Sequence, residues 1–500
     1  MGLQVCLGVD VGTSSTKGVL VDSGGRVLRS ALREHEPDRP RPGHVEMHAE
    51  LWWRELCDIA AELAAPGDVD VEAIGVSGMG PCVLVTDVAG HALRPAILYG
   101  IDTRASKQVA RLEKELGRQA VMERGGSVLT SQAAGPKLAW LAENEPETWS
   151  KARRLFMPAS WLAFRLTGAY ALDHHSASQC SPLYDRHAHG WYEPWAASLA
   201  GPIELPELHW SDKVVGVVTH SRPGLPAGVP VVLGTIDAWS EAVSAGAHNP
   251  GDLMLMYGTT MFMIATVSTP VTSASMWGTE GAFADTSSLA GGMATSGAIT
   301  SWLRSLTGSA GYEVLLAEAA ASGAGARGLL MLPYFAGERT PLQDPDARGI
   351  VAGLNLTHRR GDLYRAALEA TALAVRHNVE VMRDAGAEIR RIVAVGGGTR
   401  GGLWPQIVSD VCGLSQELPH VTIGASYGAA FLAARSLNPV RIEEWNPSVR
   451  SFEPDATTCA DYDELYGLYR DLYPATAEVS HLLARRQERV SPSSQGRGHA

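Results

Sequence analysis

The 500-residue sequence has few cysteines, no excess of positive charge and no long apolar run. Its six cysteines are widely spaced without a C-x-x-C pair, which argues against a disulfide framework or a zinc finger and favours reduced thiols. Its 42 basic residues face 54 acidic ones, a formal net charge of −12, which argues against a large nucleic-acid surface. We therefore expect a cytoplasmic protein that does not bind nucleic acid.

Three further patterns are missing. No apolar stretch approaches the roughly 20 residues of a membrane-spanning helix, so we expect no membrane association. The run Val5–Val9 is too short for a signal peptide, and acidic Asp10 interrupts it. The phosphate-binding pattern G-x-x-x-x-G-K-[ST] does not occur either, which excludes that type of nucleotide site.

Strand and helix patterns alternate along the chain, which predicts an α/β protein. The predicted elements are strands at 5–10, 17–22, 26–33, 71–77 and 229–234, and helices at 49–64, 238–247, 299–306, 362–385 and 461–485. Near residue 250 the layout restarts as strand, Gly-Thr-Thr turn and strand, and 500 residues are too many for one compact core. We expect an N-terminal domain over 1–246, a C-terminal domain over 247–440, closing helices over 441–485 and a disordered tail over 486–500.

Two hydroxyl-rich turns are candidate phosphate sites. The first strand ends at Asp10 and is followed by Gly12, Thr13 and Ser14, which offer backbone N–H groups and hydroxyls beside one carboxylate. This combination suits a polyphosphate with a divalent cation, although a plain hairpin with a polar tip has the same pattern. A second turn, Gly258-Thr259-Thr260, opens the second half, and two such turns favour phosphate binding.

A glycine-rich turn, GGGTRGG at 396–402, contains G-x-G-x-x-G between a strand and a helix. With Glu417 beyond it, the turn resembles a dinucleotide-binding fingerprint and would imply an oxidoreductase. The same glycines would also let an adenine or ribose lie against the backbone.

Asp237 lies where a predicted strand meets a helix, a common location for reactive groups in α/β proteins. It could cap the helix. Alternatively, it could orient an acceptor alcohol and take its proton during phosphoryl transfer.

Together these segments resemble the FGGY family of carbohydrate kinases, and most closely its xylulokinase-like branch. The resemblance covers about residues 5–440. It rests on GVDVGTSSTKGVLVD, RPAILYGIDTRA, GTIDAWSEAVSAG, YGTTMF, LPYFAGERTPLQDPDARGIVAGL and VAVGGGTRGGLWPQIVSDV.

The resemblance implies an actin-like ATPase fold, two ribonuclease-H-like lobes around a central cleft, with ATP and Mg²⁺ as cofactors. It implies that Asp237 is the general base and that Asp10 lies near the metal. The implied nucleotide contacts are Gly12, Thr13, Ser14, Gly258, Thr259, Gly297, Gly397 and Gly401. An actin- or chaperone-like nucleotide clamp without kinase activity is the alternative that this fold allows.

Several positions depart from the xylulokinase pattern. Gly80 follows Met79 where those kinases carry histidine, Tyr99 or Gly100 replaces a tryptophan, and Ala238 follows the implied base where asparagine is common. Asp102 and Arg104 either contact the substrate or form an ordinary pair at the start of a helix. Glu338 and Arg339 either form an interlobe ion pair or contact a ligand. The expected substrate is therefore a small, ketopentose-like sugar or polyol, and a homodimer is left open.

Overall fold

The computed structural model describes residues 2–490. Its strands are β1 Leu3–Val11, β2 Ser15–Asp22, β3 Val27–Glu34, β4 Glu46–Met47, β5 Val69–Gly78, β6 Leu84–Thr86, β7 Ala96–Ile97, β8 Arg154–Phe156, β9 Ala171–Asp173, β10 Tyr184–Asp185, β11 Gly190–Trp191, β12 Glu207–His209, β13 Val214–Val217, β14 Pro230–Val232, β15 Thr235–Ile236, β16 Asp252–Tyr257, β17 Met261–Val267, β18 Trp277–Glu280, β19 Ser287–Met293, β20 Leu330–Leu332, β21 Ile350–Ala352, β22 Arg391–Val395, β23 Gln416–Pro419 and β24 Ser448–Phe452.

The helices are α1 Ala49–Ala64, α2 Ser106–Leu116, α3 Arg118–Gly125, α4 Ala134–Asn144, α5 Pro146–Lys151, α6 Pro158–Thr167, α7 His174–Ser178, α8 Glu193–Ala200, α9 Asp237–Ser244, α10 Gly297–Leu306, α11 Tyr312–Ser322, α12 Arg360–Asp384, α13 Leu403–Cys412, α14 Ala425–Leu437, α15 Ile442–Trp445 and α16 Cys459–Val490. Helix α16 includes residues 486–490 of the expected tail. The rest of that tail, 491–500, lies outside the described residues.

The chain forms two compact units that are not continuous in sequence. The first unit consists of Met1–Asp252, Ile264–Leu289 and Pro419–Ser448, and the second consists of Leu253–Met263, Ala290–Leu418 and Val449–Ala500. The first break between the units, at Asp252 and Leu253, lies close to the boundary expected near residue 247, and two later segments also belong to the first unit.

The first unit contains a seven-stranded sheet in the order β13-β14-β5-β1-β2-β3, with β15 also paired to β5. Strands β1, β2 and β3 are antiparallel neighbours, whereas β14 and β15 run parallel to β5, as does β1. Parallel strands bring their carboxyl ends to one sheet edge, so the ends of β1, β5 and β15 lie together.

Alternation along β1 builds a core on both faces of this sheet. Val5, Leu7, Val9 and Val11 belong to a buried cluster with helix α1, whereas Cys6 belongs to a cluster with helix α14. Gly8 also faces α14, and a Cβ there would lie 2.0 Å from a backbone oxygen of that helix. Glycine at this position lets α14 approach the sheet more closely than any side chain would allow.

A second seven-stranded sheet follows the order β18-β19-β17-β16-β22-β23-β24. Within the second unit, the long helix α12 is buried along most of its length, and helices α11 and α13 pack against it. A short 3₁₀ helix, Gly397–Gly401, follows strand β22 and precedes α13. Strand β23 then runs parallel to β22.

Candidate active site

Asp10 lies near the end of the central strand β1 and is held by the two strands beside it. It is opposite Lys17 on β2 and opposite Ser77 on β5. The Ser77 hydroxyl donates a 2.8 Å hydrogen bond to Asp10 Oδ1. Burial raises the pKa of Asp10 to about 6, although the Ser77 hydrogen bond and the Lys17 charge act in the opposite direction.

The turn Gly12-Thr13-Ser14 connects β1 to β2 directly beside Asp10. The Gly12 N–H donates to the Ser15 carbonyl at 2.9 Å, which closes the turn. Thr13 Oγ1 lies 2.9 Å from the Tyr99 hydroxyl, and Ser14 is exposed. These three residues therefore lie in one tight loop of the first unit, next to Asp10.

Asp237 is the first residue of helix α9 and follows strand β15. Because β15 pairs Thr235 with Ser77, and β1 pairs Asp10 with the same serine, Asp237 comes just beyond the strand ends that hold Asp10. The backbone N–H of Ala238 donates a 2.7 Å hydrogen bond to Asp237 Oδ1. Burial, with a smaller contribution from the Asp10 charge, raises the pKa of Asp237 to about 7.

A third carboxylate, Glu241, belongs to the same group. It lies one turn after Asp237 on α9, and a Cβ on Gly424 would lie 2.3 Å from its Oε2. Burial and then the Asp10 charge raise the pKa of Glu241 to about 7, although Lys17 lowers it. The three acids repel one another in a poorly solvated place, which makes protonation easier for each of them.

This acidic group suits a hydrated divalent cation, although it is not a complete cage. In residues 2–490, no group of three or more His, Cys, Asp or Glu side chains has the arrangement that holds a metal ion by itself. Mg²⁺ in phosphate-transfer sites normally takes only one or two carboxylates and fills its shell with water and phosphate oxygens. Asp10 offers such a carboxylate, and a cation beside it would offset its repulsion from Asp237 and Glu241. These three residues therefore fit Mg²⁺.

The expected substrate residues Met79 and Gly80 follow directly after strand β5. Met79 is fully buried, and its N–H donates to the Val11 carbonyl at 2.7 Å. A Cβ on Gly80 would lie 2.7 Å from both Cδ1 and Cγ1 of Ile236, the residue before Asp237. The Ile236 side chain therefore occupies space beside Gly80 that a larger residue would need.

Asp102 and Arg104 bind each other, and the pair is fully buried. The Arg104 guanidinium donates to both Asp102 oxygens at 2.7–3.0 Å, and it also forms a 2.7 Å ion pair with Glu46. Asp102 Oδ2 additionally accepts the Val45 N–H at 2.6 Å. These contacts use the polar atoms of Asp102 for structure, which favours the helix-start interpretation of the pair over substrate contact.

In the second unit, the expected nucleotide residues Gly258, Thr259 and Gly297 lie together. The Gly297 N–H donates to the Gly258 carbonyl at 2.9 Å, and the Ser296 N–H donates to the Thr259 carbonyl at 3.0 Å. A Cβ on Gly297 would approach the Gly258 oxygen to 2.6 Å, so glycine is needed here. Gly297 begins helix α10, and its N–H and that of Ala298 bond to the carbonyls of Gly258 and Thr259, which fixes this loop against the start of the helix.

The glycine-rich turn lies beside the same loop within the second unit. A Cβ on Gly396 would lie 2.5 Å from the Tyr257 carbonyl, whereas one on Gly397 would have no neighbour within 4 Å. Gly397 is therefore open to a ligand. Gly401 instead packs against Leu316, since a Cβ there would lie 2.4 Å from Leu316 Cδ1. Glu417, the acid of the dinucleotide interpretation, forms a 2.7 Å ion pair with Arg391.

Glu338 of the GERTP segment is buried in the second unit. Its Oε1 accepts the backbone N–H groups of Arg339 and Ala294, at 2.6 and 3.2 Å. Burial raises the pKa of Glu338 to about 8, so near neutral pH this carboxyl group is mostly protonated. The Glu338–Arg339 ion pair expected as one alternative is not among the ion pairs of the described residues.

Sequence reasoning missed Glu241, Ser77 and the His35–Glu55 pair behind the first turn. Glu241 had a readable signal, because a residue four positions after Asp237 on a helix lies on the same face. Ser77 and His35 carried none, since only strand register brings them beside Asp10 and the turn.

The chain belongs to the FGGY family of carbohydrate kinases. The model of the family's N-terminal domain matches residues 5–244, and that of its C-terminal domain matches residues 253–437. This assignment confirms the predicted family and removes the oxidoreductase and the non-enzymatic nucleotide clamp as interpretations. The protein is a phosphotransferase that acts on an alcohol group, and kinases of this family use ATP.

Individual relatives cover nearly the whole chain. A xylulose kinase from Escherichia coli (strain K12) is 29% identical over 486 residues, covering 93% of this chain and 98% of that protein. A glycerol kinase from Nocardia farcinica (strain IFM 10152) is 33% identical over 448 residues, covering 85% and 88%. Both names belong to kinases of small hydroxylated molecules.

The fold is similar to that of solved structures, which include xylulose kinases. The crystal structure of xylulose kinase from Rhodospirillum rubrum superposes with a TM-score of 0.89 at 31% identity, covering 95% of this chain and all of that one. The fold is therefore the two-domain, actin-like ATPase type that was predicted, and the chain is xylulokinase-like. In the part of the chain that the structure describes, no helix has the length and apolar character needed to cross a bilayer.

Proposed function

We propose that the protein phosphorylates a hydroxyl of a small, ketopentose-like sugar or polyol with ATP, and that Asp237 is the general base. The observation that carries the assignment is the environment of Asp237. It is a half-buried carboxylate at the start of α9, next to Asp10 and Glu241, with its pKa raised to about 7. A base whose pKa lies near the working pH is ionised often enough to act and basic enough to accept a proton.

In this proposal, Asp237 orients the acceptor hydroxyl through its carboxylate and takes the proton as the bond to phosphorus forms. The Ala238 N–H holds Asp237 Oδ1 at 2.7 Å, which leaves Oδ2 for the alcohol. Phosphoryl transfer needs positioning and charge neutralisation more than a strong base, so one oriented carboxylate is sufficient.

We assign the phosphates of ATP to the turn Gly12–Ser14 and to the loop of Gly258 and Thr259. Gly297 and Gly397 are the proposed contacts for the rest of the nucleotide. Gly401 is the weakest member of that set, because the Leu316 side chain lies against the position that its Cβ would occupy. Asp10 would hold Mg²⁺ directly or through water, and the ion would supply positive charge to the phosphate oxygens during transfer.

For the sugar, we propose that Met79, Gly80 and Ile236 form one wall beside Asp237. The relatives named xylulose kinase and glycerol kinase suggest two substrate sizes, a ketopentose and a three-carbon polyol. The buried Ile236 side chain occupies the space that a residue larger than glycine would need at position 80. This wall therefore offers the sugar an apolar contact, whereas a histidine at position 80 would offer a hydrogen bond. Asp102 and Arg104 would support this region from behind.

The first experiment is the Asp237→Asn variant, assayed by ADP release with a panel of ketopentoses, pentitols, tetritols and glycerol. Loss of a general base should lower kcat by about 10²- to 10⁴-fold while ATP binding, measured by calorimetry, stays close to wild type. Asn144→Asp, a change of the same size at the end of α4, serves as the control. Sugar phosphorylation that survives in Asp237→Asn would refute the assigned base.

A further inference from the structure

His35 lies directly behind the turn that we assign to the ATP phosphates. It follows strand β3, and its backbone N–H donates to the Ser14 carbonyl at 3.0 Å. Its ring makes two more contacts: Nε2 is 3.0 Å from the Gly12 carbonyl oxygen, and Nδ1 is 2.9 Å from Glu55 Oε2. One residue therefore contacts two carbonyls of the turn, those of Gly12 and Ser14.

This arrangement is buried and hydrogen-bonded. The side chains of His35 and Glu55 are only 4% and 6% exposed. Glu55 Oε2 also accepts a 2.6 Å hydrogen bond from the Thr16 hydroxyl, just after the turn. Burying such a pair costs free energy unless its polar atoms are bonded, and here both ring nitrogens and Glu55 Oε2 have partners.

The contacts fix where the protons lie. A carbonyl oxygen only accepts, so Nε2 must carry a proton and donate it to Gly12. The contact between Nδ1 and Glu55 Oε2 also needs a proton, because otherwise a nitrogen lone pair would face a carboxylate at 2.9 Å in a buried place. A neutral imidazole has only one N–H. The contact between Nδ1 and Glu55 Oε2 therefore contains a second proton, besides the one on Nε2.

The bond to Gly12 determines the direction of the next amide. In residues 2–490 the cis peptide bonds all precede proline, so the bond between Gly12 and Thr13 is trans. A trans peptide points its C=O and its N–H in opposite directions. Since the Gly12 carbonyl points at His35, the Thr13 N–H points away from it, and donation to the carbonyl also polarises that N–H.

We propose that His35, held by Glu55, is a positioning residue that presents the Thr13 N–H to a phosphate of ATP. This inference rests on the proposed function, in which the turn binds phosphate. A preorganised N–H lowers the cost of binding because the turn does not have to reorder when the nucleotide arrives. The effect should appear in the affinity for Mg-ATP and not in the affinity for sugar.

Two substitutions at position 35 separate the two ring contacts. His35→Asn keeps a nitrogen near the Nδ1 position and loses the donor to Gly12, so the KM for Mg-ATP should rise about three- to tenfold. His35→Gln keeps a donor near the Nε2 position and should recover most of that loss. In both variants the KM for sugar should stay near wild type. His91→Asn is the matched control, since His91 also bonds an acid, Asp87, but is largely exposed.

A second measurement uses the wild-type chain, and therefore does not depend on how the variants fold. In protein labelled with ¹⁵N-threonine, the Thr13 amide signal, assigned from Thr13→Ser, should shift on addition of Mg-ADP and of a nonhydrolysable Mg-ATP analogue. A Thr13 signal that both nucleotides leave unmoved would overturn the proposal. So would equal ATP affinities in His35→Asn and His35→Gln.

The design distinguishes this proposal from the proposed function. If the wild-type enzyme phosphorylates no sugar but the Thr13 amide still responds to nucleotide and loses that response in His35→Asn, the positioning role stands and the kinase assignment fails. If phosphorylation is robust and His35→Asn matches wild type in KM for Mg-ATP, the kinase assignment stands and the positioning role fails.

Discussion

The raised pKa of Asp237 makes the pH dependence of turnover a direct test of the proposed base. With a pKa of about 7, Asp237 is mostly ionised at pH 8, and only about a tenth of it is ionised at pH 6. Since only the ionised form can take the proton, kcat/KM for sugar should fall about tenfold between pH 7.5 and pH 6, and approach a tenfold decrease per pH unit below that.

The neighbouring charges allow the same prediction to be tested by substitution. Glu241 is one of the groups that raise the pKa of Asp237, and glutamine has the same size without the charge. Glu241→Gln should therefore move the midpoint of the acidic limb to lower pH while activity at pH 8 persists. Glu388→Gln, on an exposed loop of the second unit, removes a carboxylate elsewhere and should leave the midpoint in place.

The assay is ADP release at saturating Mg-ATP with sugar varied from pH 5.5 to 9, with ADP added at each pH to verify the coupling enzymes. A flat profile between pH 6 and pH 8 would contradict the assignment of Asp237 as the base. A midpoint that rises in Glu241→Gln would contradict the electrostatic explanation, because removing a negative charge cannot make a neighbouring carboxylate harder to ionise.

Two further predictions concern stability and the sugar wall. Because the folded pKa of Asp237 is raised above its ordinary 3.8, its contribution favours folding at low pH and is lost as the pH rises towards 7. Asp237→Asn should therefore stabilise the protein at pH 8, by at most about 4 kcal/mol, and much less at pH 4.5; urea midpoints at the two pH values check this. Gly80→Ala should raise the KM for sugar about fivefold or more by pressing on Ile236, and Gly80→Ala/Ile236→Val should recover part of it; an unchanged KM in the single variant would argue against this wall.

Much of the fold was predictable because its pattern is local. Helix α1 begins and ends where its apolar spacing predicts, at Ala49 and Ala64. Strand β1 extends the predicted run by a residue or two at each end. The predicted strand 229–234 is present but shorter, as β14 at Pro230–Val232, because Gly234 adopts a φ of +72° against the backbone of Val76, and a separate short strand, β15, follows it. That approach is tertiary, so no local pattern predicts it.

The site residues that the sequence could predict are those at the end of a strand or the start of a helix. Asp10 and Asp237 lie at such places, and their charges interact in the structure. The environment of Asp102 and Arg104 was not predictable, because Glu46, which pairs with Arg104, lies more than fifty residues earlier and meets it only through folding. Residues that reach the site through strand register, such as Ser77, also cannot be recognised from their spacing along the sequence.

The close packing of helix α14 on strand β1 has a consequence for synthesis of the chain. Gly8 is synthesised more than four hundred residues before the helix that packs on it, residues 425–437. Until that helix is made, this side of the first sheet lacks part of its apolar covering. During the synthesis of these four hundred residues, the exposed apolar side of the sheet can aggregate with other chains. We therefore expect chaperones to bind the nascent chain at this side.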